Sequence, residues 1–102
     1  MGLKAMQNVC KILGPMYSIK IIDGVESIYR KINEFYDFEV CGFFGGKTIT
    51  VNVWQRKPHT ELMVVYSGIS NVDDLADVLG YLAFRCKNLK EKIQVEREDL
   101  QQ

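Results

Sequence analysis

The chain contains one histidine, His59, in the run Arg56-Lys57-Pro58-His59-Thr60, which reads as a loop between two strands. An imidazole titrates near neutral pH, so His59 is the natural place to look for a general base. Such a base also needs a nucleophile within reach and a carboxylate to orient its ring. The pattern supplies neither, because Glu61 already begins the next strand. The three cysteines, Cys10, Cys41 and Cys86, show no Cys-x-x-Cys spacing. With a single histidine they fall short of a zinc ligand set, and an odd count argues against a disulfide framework. Their apolar neighbours point to reduced, buried and inert thiols. Gly45-Gly46-Lys47-Thr48 has the composition of a phosphate loop. It lacks the leading glycine spacing and runs into a strand, so no helix N-terminus is there to cradle an anion. The sequence therefore predicts no enzyme, no cofactor and no metal.

The chain has 102 residues, enough for one domain with a modest core. Apolar residues make up 47% and charged residues 25%, as in ordinary globular chains. Thirteen basic and 13 acidic residues give a formal charge of zero. Proteins that grip phosphate backbones carry a basic excess, so nucleic acid is a disfavoured partner. No apolar run reaches the 18 or so residues of a membrane span. Lys4, Gln7, Asn8 and Lys11 interrupt any signal-peptide core, and Met6 stands where myristoylation prefers Ser or Thr. A cytoplasmic protein is the expectation.

The elements follow from periodicity and punctuation. Leu3, Met6, Val9, Cys10 and Leu13 share one face of a short helix that Gly14-Pro15 ends. Residues 16–22 read as a strand. Asp23-Gly24 offers either a hairpin turn or a helix cap with Glu26. Val25, Ile28, Tyr29, Ile32, Phe35 and Tyr36 then recur at helical spacing, and Glu26–Arg30 and Arg30–Glu34 are opposite charges four apart. On that pattern residues 25–36 are predicted helical. Strands at 38–44, 47–55 and 61–67 follow with short connections. Asn71 caps a final helix whose apolar stripe runs Leu75, Leu79, Leu82, Cys86, Leu89, Ile93 and Leu100, broken only by Glu96. Asp73, Asp74 and Asp77 come early, and Arg85, Lys87, Lys90 and Lys92 late, as the helix dipole prefers.

The expected fold is α+β, a two-layer sandwich of order α-β-α-β-β-β-α with an antiparallel three- to four-stranded meander. Residues 1–102 form one domain, and 90–102 form a helical extension or frayed tail. Ile32, Val51, Val64, Leu79 and Leu82 are the predicted core. The final helix would be roughly 43 Å long, whereas strands of seven or eight residues span about 25 Å. Its last third has no sheet of its own to lie on.

Two apolar surfaces are left over. The second sheet face would hold Cys41, Phe43, Trp54, Met63 and Val65, too apolar for open water unless the first helix folds over it or a partner covers it. Tyr81 and Phe84 project away from the stripe of the long helix. Trp54, Met63, Tyr81, Phe84 and Ile93 are accordingly the candidate partner-binding residues. The order helix, three-stranded meander, helix also resembles the double-stranded RNA-binding domain, with Arg56, Lys57 and His59 at a loop tip as the nucleic-acid alternative. That family grips phosphates at the start of its final helix. Here Asn71-Val72-Asp73-Asp74 and Asp77 would repel them. The expectation is a small non-enzymatic protein-interaction module, acting as a homodimer or by docking on a larger protein. Compact, neutral chains of this sort are common among phage and mobile-element accessory or inhibitor proteins.

Overall fold

A computed structural model describes the backbone of residues 3–43 and 48–100 and the side chains of residues 4–43 and 48–88. The elements run α1 (Leu3–Leu13), β1 (Ser18–Ile22), β2 (Val25–Lys31), β3 (Tyr36–Cys41), β4 (Ile49–Gln55), β5 (Glu61–Ile69) and α2 (Val72–Leu100). The strands form a single antiparallel meander in the order β1-β2-β3-β4-β5. The fold is α+β with a long C-terminal helix, but the sheet has five strands instead of three or four.

The difference lies at residues 25–36, which form no helix. Asp23 and Gly24 both take positive φ, 52° and 79°. This is the paired left-handed geometry of a two-residue hairpin turn, and it lays β2 antiparallel to β1. Ion pairs four apart stabilise a helix by only about 0.2–0.5 kcal/mol each. Against them, β2 gains a strand neighbour on each side and places Ile28 fully inside. The turn before β3 is held by Asn33, whose Oδ1 accepts from the backbone N–H groups of Phe35 (2.8 Å) and Tyr36 (3.0 Å).

Alternation divides each strand between two faces. Ile28 on β2, Tyr36, Phe38 and Val40 on β3, and Val51 and Val53 on β4 face the helices. Met6 and Val9 of α1 and Leu75, Leu79, Leu82, Ala83 and Cys86 of α2 close over them. Of the predicted core, Val51, Leu79 and Leu82 are buried, while Ile32 and Val64 are half-buried at its margin. Asn71 caps α2 as expected, its Oδ1 accepting from the Asp74 N–H at 2.8 Å. Among the described side chains, the apolar stripe ends at Cys86. Leu89, Ile93, Glu96 and Leu100 lie outside them.

Both helices cover the same face. Ala5 and Val9 of α1 share a small cavity with Phe43, Ile49, Ile69 and Val72, so α1 does not fold over the second face. Phe43 is also not on that face. Gly42 takes φ 99° and turns Phe43 into the core, 4% exposed. A β-carbon at Gly42 would sit 2.5 Å from the Thr48 carbonyl oxygen, so only glycine fits this corner.

Candidate functional site

The centre of the uncovered sheet face carries a network of polar and aromatic side chains. Asp37, on β3, is buried there between Tyr29 of β2 and Arg56 beyond the end of β4. The Tyr29 hydroxyl donates to Asp37 Oδ2 at 3.0 Å, and Arg56 Nε donates to the same oxygen at 2.7 Å. Asp37 Oδ1 is buried without a hydrogen-bond partner among the described residues. Burial, and then the bond to Asp37, push the Tyr29 pKa above its ordinary value. The bond to Asp37 likewise raises that of Arg56. Trp54 Nε1 donates to Glu39 Oε2 at 3.2 Å, and the Arg56 guanidinium lies 5.3 Å from the centre of a Trp54 ring. Lys20 sits 4.0 Å over Tyr29. Each large aromatic on this face thus has a cation on its ring and a carboxylate on its polar atom.

The loop following β4 is charge-balanced in the same way. Arg56 is held by Asp37, Lys57 Nζ lies 3.5 Å from Glu34, and His59 Nε2 lies 3.6 Å from Glu61. The structure therefore brings a carboxylate to His59, which the strand pattern does not foresee. Both groups are exposed, and such pairs contribute about 0–1 kcal/mol. With an acidic neighbour beside each of the three residues of the nucleic-acid alternative, Arg56, Lys57 and His59, the loop makes no uncompensated positive patch. Burial raises the pKa of all three thiols, and that of Cys86 reaches about 11. No group of three or more possible metal ligands occurs among the described residues. Among the described residues no helix is long and apolar enough to cross a membrane.

Exposed apolar side chains occur at two ends of the sheet: Ile12, Met16, Ile21 and Val25 around α1 and the β1–β2 hairpin, and a second group along β5 and the flank of α2. β5 is a nine-residue edge strand, Glu61-Leu-Met-Val-Val-Tyr-Ser-Gly-Ile69, with one charge and neither lysine nor proline. Register irregularities at both ends bracket a regular run from Val64 to Tyr66. At the first of them Val53 pairs with Val64 but Trp54 pairs with Leu62, so Met63 is the extra residue. The bulge rotates Met63 off the Trp54 face and onto the helix side. There Met63, Val64 and Tyr66 line a cavity of about 170 Å³ with Tyr81, Leu82 and Arg85 of α2. Leu62 and Val65 are exposed on the other face of the same strand, and Tyr81 (53%) and Phe84 (64%) stand out from α2.

Of the five sequence candidates, the structure brings Met63 and Tyr81 together and places Phe84 one turn along α2. Trp54 is on the opposite sheet face and half-buried, and the Ile93 side chain lies outside the described residues. Tyr66 is absent from the sequence candidates, and Val65 enters them only as part of the second sheet face. The signal for them is the uncharged length of 62–69, which reads as an ordinary strand until the sheet order puts it at an edge. No protein-family model matches this chain, and no curated protein or solved structure is detectably similar to it.

Proposed function

We propose that the chain is a non-enzymatic protein-interaction module whose working surface is the edge formed by β5 and the adjoining flank of α2. The observation that carries this reading is that β5 has no strand on its outer side among the described residues and is flanked on both faces by exposed apolar side chains. A long edge strand with its one charge at the first residue is a template for another polypeptide, and soluble proteins ordinarily guard such strands with lysine, proline or a covering element. Exposed Met63, Tyr66, Tyr81 and Phe84 add the aromatic and methionine content that interfaces favour.

Light scattering on a size-exclusion column, across a concentration series, tests the proposal. The measured mass should rise above the 11.7 kDa of one chain as concentration increases. Replacing Tyr81 and Phe84 together by serine should hold the mass at that of one chain without changing the thermal unfolding midpoint. A wild-type chain that stays at single-chain mass throughout would overturn self-association as its mode of action.

A further inference from the structure

We infer that the β5–α2 edge pairs with a second copy of this chain about a two-fold axis normal to the sheet, β5 antiparallel to β5 and α2 antiparallel to α2. This rests on the reading of that edge as a protein-binding surface and names its occupant. A lone peptide strand added to β5 would complete the sheet but leave Tyr81 and Phe84 in water. A second copy carries its own helix beside its own edge strand, so one rotation covers both.

The two elements agree on where the axis passes. Val64 and Tyr66 line the same cavity as Tyr81 and Arg85, so the regular centre of β5 is level with Tyr81 on the helix. An axis beside Val65 therefore also runs beside Tyr81. The charges of α2 fit this arrangement. Asp73, Asp74 and Asp77 occupy its beginning, and Arg85 and Lys87 follow Tyr81. Asp77 and Arg85 each lie four positions from Tyr81 and are exposed. Antiparallel helices centred on Tyr81 set Asp77 of each copy against Arg85 of the other, giving two opposite-charge pairs per dimer. The chain's zero net charge adds no long-range repulsion between copies. The other edge strand fits less well, since β1 has only five residues and carries Lys20 in its middle.

Charge exchange tests the geometry. Asp77→Arg alone and Arg85→Asp alone each turn two attractions into two repulsions, and each should weaken self-association about tenfold. The chain carrying both changes restores the pairs with reversed sign and should return to within about threefold of wild type. At the axis, Val65→Lys and Val65→Glu chains should each be impaired alone and associate when mixed, because Val65 then faces its own counterpart. All of these side chains are exposed, so unfolding midpoints should match wild type. Wild-type chains that dimerise while the single charge changes have no effect, or while the double change rescues nothing, overturn this geometry and leave the protein-binding reading standing. Wild-type chains that never self-associate overturn the two-fold and the homodimer together.

Discussion

β3 and β5 are separated by a single strand, yet they live in different solvents. In β3 no residue is exposed: Tyr36, Phe38 and Val40 are under the helices, Asp37 and Glu39 are bonded to Tyr29, Arg56 and Trp54, and Cys41 lies beside Asn52. In β5 only Val64 and Ile69 escape exposure, although the strand is as apolar as β3. Burial is thus not following composition along this sheet. It follows position: the interior strand is packed under the helices on one face and screened by side chains of its neighbours on the other, and the edge strand has a neighbour on one side only. An apolar residue retained where the fold does not cover it is explained by something other than this chain's core.

The contrast predicts unequal effects on stability. Phe38→Ala on β3, where the ring is fully buried, should cost about 3–5 kcal/mol in chemical denaturation, and Leu79→Ala on α2 about 2–5 kcal/mol. A loss below about 1 kcal/mol at both positions would mean that β3 and α2 do not form the core described here. A smaller effect should appear in alkali. The Cys86 thiol, buried against β3, has its pKa raised from 9.0 to about 11 by burial. Between pH 9 and 11 the unfolded chain releases this proton while the folded chain keeps it. Stability that is complete below pH 9 is therefore lost as pH rises through that window, on the order of 2–3 kcal/mol. Burial also raises the pKa of Tyr36, so its ionisation adds a decline of the same sign above pH 10. Unfolding midpoints measured from pH 8 to 11 should show the fall, and Cys86→Ala should remove the earlier part of it.

Local patterns were sufficient where one element carries its own signal. The amphipathic spacing of 3–13, the Asn71 cap and the Leu75–Leu79–Leu82–Cys86 stripe identify both helices. They fail at residues 25–36 because β2 is an interior strand. Its faces are both partly covered, so Ser27 and Ile28 are buried side by side and no alternation shows in the sequence. Without that alternation, chance helical spacing outweighs the Asp23-Gly24 turn, and strand pairing across the sheet is what decides. The candidate surface was legible in part for the same reason. Tyr81 and Phe84 stand off a helical stripe that can be read directly. The face of Met63 depends on a bulge that only pairing with Trp54 and Val53 creates. The exposure of Tyr66 depends on β5 coming last in the sheet.

Amide hydrogen exchange at low and high protein concentration addresses the difference between these two strands directly. In β3 the ladder amides should be protected at both concentrations, because their partners belong to the same chain. In β5 the amides that point away from β4, within 64–66, should exchange quickly in dilute solution. Their exchange should slow by tenfold or more as concentration rises and a second β5 takes up their hydrogen bonds. Exchange in β5 that is the same at every concentration, or protection that rises equally across all five strands, would contradict the account.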